Sequence, residues 1–342
     1  MKRNQFINLF ALIFLIAGFI SCRKTVDLDA SNFPITGNHW QKLNTPYFGK
    51  FMDMQFLNAD VGYILGANIT DAGTWNILIK TNDGGNTWQS VVYTHAFTTD
   101  TTGGLAGTLG VYPFFPNTIF TGGRTLVRST DGGKTWQKMD TINKLGTPTN
   151  IFFDASTGFC FGGSSVSKTV DSGKSWISVF RLQSLINIYQ FQFTSRKTGY
   201  YYGGELLSGS SVGLMAKTTD GANSWQQLNY PFHYITAAYF TSDSVGYISY
   251  AGESFLQKTT DGGIKWQPVV QQGITRFPNA ESMYFLSEKE GLLATGLGIF
   301  HTDDGGQRFT KEYGTAVTVI RNAGNNTFFA VDTARNVLRR TQ

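Results

Sequence analysis

A motif that recurs along this 342-residue chain constrains its fold more than any other feature of the sequence. The clearest copy reads STDGGKTWQ, and the six copies end at Gln89, Gln137, Ile177, Gln226, Gln267 and Thr310. Trp40, in TGNHWQKL, looks like the second half of another copy. The aromatic residues of these copies stand at positions 40, 88, 136, 176, 225, 266 and 309. Their separation is about the length of a four-stranded propeller blade, so the chain is predicted to be an array of such units.

Each unit has further recognisable parts. Segments such as FLNADVGYILG and FTSDSVGYISY precede a motif and read as strand, polar turn, Gly-aromatic and strand. A third strand such as NILIKT leads into the motif, and Trp-Gln then opens a fourth strand. The 39 glycines and the 15% of aromatic residues agree with β structure that contains many turns.

The two ends of the chain complete each other. Residues 315–342 supply three strands and stop where a motif should begin, whereas residues 38–44 begin where a motif ends. We therefore predict an all-β, seven-bladed β-propeller over residues 38–342, with four-stranded antiparallel blades and the last blade closed by the N-terminal strand. Closure of the ring removes exposed sheet edges.

The motif is predicted to be a structural hairpin turn. Asp131 can accept hydrogen bonds from amides of its own loop, Gly133 can adopt positive φ, and Thr135 can bond within the turn. Trp136 is expected to lay its ring against the neighbouring sheet. A strand follows the motif, whereas a phosphate-binding loop needs a helix there. The same roles are expected at Asp83, Asp171, Asp220, Asp261, Asp304, Trp88, Trp176, Trp225 and Trp266.

The pattern Ser/Thr-x-Asp-x-Gly-x-Thr/Ser-Trp resembles the Asp-box, or BNR, repeat, and the copies are called Asp-boxes below. This repeat occurs in sialidases, some glucanases, sortilin-type receptors and Ycf48/HCF136-like photosystem II assembly factors. The Gly-aromatic strand followed by TxDGGxTWQ looks most like the Ycf48-like group, over roughly residues 38–342. The resemblance implies a seven-bladed propeller that binds other proteins and is not an enzyme.

The N-terminus resembles a targeting signal. In residues 1–22, Lys2 and Arg3 precede an apolar run, and Ser21 then stands before Cys22 as in a bacterial lipoprotein signal. We expect lipid on Cys22, a tether over residues 23–37, and a location in the bacterial cell envelope, either periplasmic or on the surface of the outer membrane. Cleavage by the ordinary signal peptidase is the alternative.

Charge and cysteine content exclude several classes of function. The net charge is +5 and falls to +3 when Lys2 and Arg3 are removed; the remaining cations are scattered, which argues against nucleic-acid binding. Cys160 lies in an alternating apolar run and is predicted to be buried without a disulfide partner. The four histidines lack metal-ligand spacing, so we predict no metal and no cofactor.

The loops opposite the Asp-boxes are the predicted partner-binding face, because loops on a rigid scaffold carry function and aromatic residues and arginine are enriched at interfaces. We expect a protein partner and a monomeric domain; the competing interpretation is that the aromatic residues fill gaps between blades. The candidate residues are Tyr47, Phe48, Trp75, His95, Arg181, Gln183, Phe232, His233, Tyr234, Arg276 and Phe277.

A sialidase-like enzyme, another glycoside hydrolase or a carbohydrate-binding propeller is the alternative function. Sialidase chemistry needs an arginine cluster, and the spacing of Arg124, Arg181, Arg276 and Arg321 does not suggest one. Other glycosidases need two facing carboxylates, and Asp53 with Glu281 is the nearest pair on predicted inner strands. We predict no catalytic residues, and glycan binding has no support in the sequence.

Overall fold

The computed structural model describes residues 28–29, 33–37, 39–46, 49–70, 73–91, 110–114, 117–122, 126–139, 149–152, 156–162, 165–181, 186–207, 210–229, 234–251, 256–269 and 274–341. They form seven four-stranded antiparallel sheets and one short parallel pair of strands. In this part of the chain no helix is long and apolar enough to cross a membrane.

Each sheet is one blade, and its strands are numbered 1 to 4 in spatial order. Blade 1 contains Lys50–Phe56, Gly62–Thr70, Gly73–Thr81 and Gln89–Val91. Blade 2 contains Gly110–Phe114, Thr118–Gly122, Leu126–Ser129 and Gln137–Lys138. Blade 3 contains Thr149–Phe152, Gly158–Gly162, Ser165–Thr169 and Ile177–Arg181. Blade 4 contains Ile186–Phe193, Gly199–Leu207, Ser210–Thr218 and Gln226–Gln227.

The last three blades follow the same order. Blade 5 contains Ile235–Phe240, Gly246–Tyr250, Gln257–Thr259 and Gln267–Pro268. Blade 6 contains Ala280–Phe285, Gly291–Thr295, Gly298–Thr302 and Thr310–Tyr313. Blade 7 contains Val317–Asn322, Phe328–Asp332, Val337–Arg340 and, as strand 4, Trp40–Lys42. The two-stranded pair is Leu28–Asp29 with Ile274–Arg276.

The blades are arranged as a ring with strand 1 of each blade at the centre. Strand 1 of blade 5 lies against strand 1 of blade 6, and the same relation links blades 6 and 7, 7 and 1, 1 and 2, and 2 and 3. Blade 7 therefore contacts both blade 6 and blade 1. The predicted seven-bladed propeller with four-stranded blades is confirmed.

Among the described residues the hydrophobic core is divided into seven clusters, each of which joins two neighbouring blades. Trp225 of blade 4, for example, packs with Phe159 and Val166 of blade 3. Trp88, Trp136, Trp176, Trp266, Phe309 and Trp40 each pack in the same way against the preceding blade. Because these rings bury large apolar areas, the aromatic residue of every unit stabilises an interface between blades rather than its own sheet alone.

The Gly-aromatic pairs explain how adjacent blades fit closely together. Gly246 begins strand 2 of blade 5, and a Cβ there would lie 2.4 Å from the ring of Phe240. The next residue, Tyr247, stacks on Phe285 of blade 6 with 3.9 Å between ring centroids. Tyr200 stacks on Phe240 at 3.5 Å in the same manner. The glycine thus makes space for one aromatic ring and its neighbour reaches the next blade.

Blade 7 is assembled from both ends of the chain. Trp40 pairs with Arg340, Gln41 with Arg339 and Lys42 with Leu338, all antiparallel. The predicted closure by the N-terminal strand is therefore confirmed.

A buried ion pair reinforces this closure. Glu312 Oε2 accepts hydrogen bonds from Trp40 Nε1 at 3.0 Å and Arg340 Nε at 2.8 Å, and Glu312 Oε1 accepts one from Arg340 Nη2 at 2.9 Å. The Glu312 and Arg340 side chains are only 3% and 5% exposed. One carboxylate therefore links the N-terminal strand, the C-terminal strand and strand 4 of blade 6.

Part of the predicted tether over residues 23–37 lies against the propeller. Leu28 and Asp29 pair with Ile274 and Arg276, while Thr36 N donates to Lys311 O at 2.8 Å. These residues pair with other parts of the chain, and the tether over residues 23–37 stays a prediction. Cys22, the signal segment at 1–22 and the rest of the tether lie outside the described residues.

Candidate functional site

The Asp-box of blade 2 shows how the motif closes its hairpin. Asp131 Oδ1 accepts hydrogen bonds from the amides of Lys134 and Thr135, both at 2.9 Å. Asp131 Oδ2 accepts one from the Thr135 hydroxyl at 2.5 Å. Trp136 Nε1 donates to Gly133 O at 3.0 Å, which fixes the orientation of the indole. These bonds have the structural roles that the sequence suggested for this loop.

The first hydroxyl of the motif has a role that sequence reasoning missed. Ser129 is 1% exposed, donates to Asp131 Oδ1 at 2.8 Å and accepts from the Gly133 amide at 2.8 Å. A buried hydroxyl accepts this bond in all six boxes, at Thr81, Ser129, Thr169, Thr218, Thr259 and Thr302. The signal was present in the sequence as an invariant Ser or Thr two positions before each aspartate.

Two boxes depart from the hydroxyl pattern at the position of Thr135. In blade 6, Arg308 Nε donates to Asp304 Oδ2 at 2.9 Å in place of a hydroxyl. In blade 5, Lys265 occupies the position, and its amide donates to Asp261 Oδ1 at 2.9 Å. The carboxylate is engaged by its own loop in every box, so the aspartates are parts of turns rather than a set of free ligands.

The pKa values of the Asp-box carboxyl groups follow from these bonds. The Thr87 hydroxyl and amide lower the pKa of Asp83 to about 2, and the Ser175 hydroxyl and amide do the same for Asp171. The Thr135 hydroxyl lowers the pKa of Asp131 further still. Donors that point at a carboxylate favour its charged form. The boxes therefore remain ionised at neutral pH.

Polar side chains connect neighbouring blades near the centre of the ring. They bond to backbone groups of strand 1 in the next blade. The Gln192 side chain of blade 4 donates to Phe240 O and accepts from Phe240 N of blade 5, both at 2.7 Å. Ser249 of blade 5 accepts from Ala280 N of blade 6 at 3.0 Å. Since strand edges carry unpaired backbone groups, these side chains satisfy the edges that face the centre.

Asp53 belongs to this set of bridges. Its Oδ2 accepts from Val111 N of blade 2 at 3.0 Å, and its Oδ1 accepts from Met54 N at 2.8 Å and from Arg321 Nη2 of blade 7 at 3.2 Å. Burial raises the pKa of Asp53, while Arg321 and the two amides oppose the shift. Arg321 Nε also donates to Met54 O at 3.1 Å. Asp53 and Arg321 thereby fasten blade 7 to blades 1 and 2.

The two carboxylates considered for a glycosidase lie on strands that are not neighbours. Glu281 is exposed on strand 1 of blade 6, while Asp53 lies on strand 1 of blade 1, with strand 1 of blade 7 between them. Asp53 is already held by three donors. Among the described residues, no group of three His, Cys, Asp or Glu is placed to hold a metal ion.

Tyr234 is the predicted partner-face residue whose surroundings are best defined. It precedes strand 1 of blade 5, at the end of the blade opposite the Asp-boxes, and is 38% exposed. Its ring lies 5.2 Å from that of Tyr189 on strand 1 of blade 4, which is 40% exposed. Tyr189 occupies a β-bulge, between the pairs Ile188–Gly203 and Gln190–Tyr202. The two rings form an exposed aromatic platform, and sequence reasoning missed the Tyr189 half.

Phe277 needs a correction. It is 4% exposed and its ring lies 4.9 Å from Phe300 and 4.5 Å from Phe309. It therefore fills the interface between blades 5 and 6 and offers no surface to a partner. The gap-filling interpretation holds for this residue, since a large ring next to a box aromatic is more stable buried than exposed.

The other partner-face candidates have no described side-chain position. Trp75 lies on strand 3 of blade 1 opposite Asn68, Arg181 ends strand 4 of blade 3, and Arg276 pairs with Asp29. The remaining candidates, outside the described residues, are Tyr47, Phe48, His95, Gln183, Phe232 and His233.

Cys160 is 5% exposed on strand 2 of blade 3, and its thiol is free. Burial raises the pKa of this thiol to about 12. A thiol that stays protonated is a poor nucleophile, so Cys160 acts as a small core residue.

Comparison with known proteins gives one family match and several structural matches. The family model described as photosynthesis system II assembly factor YCF48 matches residues 34–152. No curated protein sequence matches.

Several solved structures resemble the chain. A structure of YCF48 bound to a D1 peptide has 20% identity and a TM-score of 0.70, covering 91% of this chain and 99% of that one. YCF48 from Cyanidioschyzon merolae has 18% identity and a TM-score of 0.68, covering 88% and 98%. A GH74 enzyme from Niastella koreensis has 19% identity and a TM-score of 0.60, covering 82% of this chain but 50% of that one.

These matches agree with the repeats and the ring. The family model covers the closing strand, blades 1 and 2 and strand 1 of blade 3, and the YCF48 structures match about nine tenths of the chain. The chain is accordingly a β-propeller built from Asp-box repeats, and its residues 34–152 resemble the YCF48 family.

Proposed function

We propose that this propeller is a non-catalytic binding scaffold that holds a protein partner at the channel mouth opposite the Asp-boxes. The observation that carries the proposal is the exposed Tyr189–Tyr234 platform at that mouth. Tyrosine presents a large apolar ring and a hydroxyl at small conformational cost, and it is enriched at the energetic centres of interfaces. A Ycf48 structure of the same fold is described as bound to a D1 peptide, which supports a polypeptide as the ligand class.

The non-catalytic part of the proposal is supported by how the candidate acids are used. Asp53 is held by three donors and the Asp-box carboxylates by their own turns. A glycosidase needs one carboxyl group free to give a proton and a second free to attack or to activate water. A reducing-sugar assay on soluble polysaccharides tests this directly, and turnover abolished by Asp53→Asn would reject the scaffold in favour of a glycosidase.

We also propose that the scaffold is tethered to a bacterial envelope membrane through lipid on Cys22. The support is the apolar N-terminal run with a small residue before Cys22. Mass spectrometry of the mature protein should find a diacylglyceryl cysteine at its N-terminus. An unmodified N-terminus, or one at another residue, would contradict the lipid anchor.

The partner-binding proposal is tested by crosslinking in cells followed by purification of the captured species. Replacing both Tyr189 and Tyr234 by alanine should reduce capture of the principal partner by about tenfold or more, the effect of losing central aromatic contacts. Lys134→Ala, on an exposed Asp-box turn, is the matched control on the opposite face. Equal capture by wild type and the double tyrosine variant, with both folded, would reject this surface.

A further inference from the structure

Blade 3 carries a pair of exposed aliphatic side chains that the other units lack. Val170 and Ile177, at the start and end of its Asp-box hairpin, are 65% and 68% exposed. The position of Ile177 is polar in the other blades, at Gln41, Gln89, Gln137, Gln226, Gln267 and Thr310. The position of Val170 is likewise polar, at Asn82, Thr130, Thr219, Thr260 and Asp303. Six other repeats serve as references for Ile177 and five for Val170, and blade 3 alone departs from them at both positions.

The same hairpin presents the longest outer strand of the described blades. Strand 4 of blade 3 runs over five residues, Ile177–Arg181, whereas strand 4 has two or three residues in blades 1, 2, 4, 5 and 7. In blade 5 that strand includes Pro268, which lacks an amide and blunts the edge. Ile177 begins this outer strand, and a long outer strand leaves backbone groups with which an additional strand can pair.

The outer strand of blade 6 is already covered by another segment of the chain. Strand 4 of blade 6 is four residues long and is covered by the chain's own segment 33–37, through a parallel bridge between Ile35 and Lys311. Thr36 N donates to Lys311 O at 2.8 Å in this contact. The two longest outer strands are therefore those of blades 6 and 3, and an extended segment covers the first.

We propose that the outer edge of blade 3, formed by Ile177–Arg181, binds an extended segment of a partner protein by strand addition, beside the exposed Val170 of the adjoining box. The segment would have β-branched side chains in alternate positions, so that one set packs against Ile177 and Val170. A second copy of the chain fits less well, since five residues on each side bury far less than the roughly 1,200 Å² of a stable interface. This site is separate from the tyrosine platform and does not depend on it.

The test uses a fluorescein-labelled peptide of about seven residues that alternates threonine and valine, a length matched to one strand. Fluorescence anisotropy measures its binding to the whole mature protein. The variant with Val170→Thr and Ile177→Gln should bind about tenfold more weakly or worse. These residues already stand at the equivalent positions of other blades, so the variant should fold. Ile264→Asn is the matched control, because Ile264 is 64% exposed but lies in a turn.

Two further measurements distinguish strand addition from simple apolar contact. A peptide N-methylated at the alternate amides that face the edge should lose binding, and the outward-facing amides of Ile177–Arg181 in the wild type should gain protection from hydrogen exchange when the unmodified peptide is added. Tyr234→Ala should leave this binding unchanged, so failure at one site is distinguishable from failure at the other. No binding by wild type, equal binding by the Val170/Ile177 variant, or retained binding of the methylated peptide would each overturn the proposal.

Discussion

Strands 3 and 4 are joined in one way in blades 1 to 6 and in another way in blade 7. In blade 7 the strand Trp40–Lys42 pairs with Val337–Arg340, and this junction is called the seam below. In blades 1 to 6 a short Asp-box turn joins strands 3 and 4, and its carboxylate lies at the surface. In blade 7 those strands come from opposite ends of the chain, and the carboxylate that links them, Glu312, is buried with Arg340. Loop-closure entropy grows with the logarithm of loop length, so joining the ends costs about 3 kcal/mol more than closing a hairpin.

The comparison is sharpened by two arginine–carboxylate pairs of almost equal length. Arg308 Nε lies 2.9 Å from Asp304 Oδ2 in the box of blade 6, with the arginine side chain 71% exposed. Arg340 Nε lies 2.8 Å from Glu312 Oε2 in the seam, with the arginine 5% exposed. The nitrogen–oxygen distances of the two pairs are therefore nearly equal. The difference in burial decides how much each pair contributes to stability.

The largest effect is expected from Arg340→Ala. Removing the guanidinium leaves Glu312 buried with the Trp40 indole as a donor and His301 Nδ1 at 3.7 Å, which should lower the free energy of unfolding by about 3–5 kcal/mol. Arg308→Ala, the matched surface change, should cost about 0–1 kcal/mol. Urea denaturation followed by tryptophan fluorescence measures both. Similar losses from the two variants would show that the seam has no special role.

A smaller effect is expected from the buried hydroxyl of one box. Thr81→Ala leaves the Gly85 amide without its acceptor, which lies 2.7 Å away, and should cost about 1–3 kcal/mol. Thr81→Ser keeps the hydroxyl, as Ser129 does in blade 2, and should retain most of the stability. If the alanine and serine variants unfold at the same urea concentration, the hydroxyl is not the determinant of the turn.

Ser172→Gly should stabilise the protein by up to about 1 kcal/mol. Ser172 adopts a φ of 66° in the box of blade 3, whereas Gly132 occupies the same position of blade 2 with a φ of 76°. A left-handed conformation costs a residue with a Cβ about 1–2 kcal/mol, partly offset by the greater entropy of glycine in the unfolded chain. Thermal unfolding of the two proteins under identical conditions measures the difference, and a lower midpoint for the variant would contradict the prediction.

The smallest expected effect is the contribution of one Asp-box carboxylate to the pH dependence of the free energy of unfolding. The pKa of Asp83 is about 2 in the folded protein, below its ordinary value of 3.8, so its ionised form favours the folded state. That contribution is complete above about pH 4 and is lost as the pH falls to about 2. The stability difference between wild type and Asp83→Asn should therefore shrink over this window, as measured by urea unfolding at a series of pH values. A difference that is constant from pH 5 to 2 would contradict it.

Parts of the fold were open to prediction because they repeat. The spacing of Trp88, Trp136 and Trp225 defined the blade length, and the half-motif at Trp40 predicted the closing strand. The candidate binding site was harder to predict from the sequence. Tyr234 was recognisable as a loop aromatic, but its neighbour Tyr189 lies in the preceding blade at a bulge that no local pattern marks.

The repeats determined the number of blades, the turn type and the circular order, because each Asp-box specifies its hairpin through bonds within nine residues. Tertiary structure alone decided the contacts between blades. Phe277 was predicted to lie on the partner face and is core, and Glu312, which no sequence pattern singled out, is the buried centre of the seam. The reason is that burial and pairing depend on which strands the closed ring brings together, and those partners are far apart in the chain.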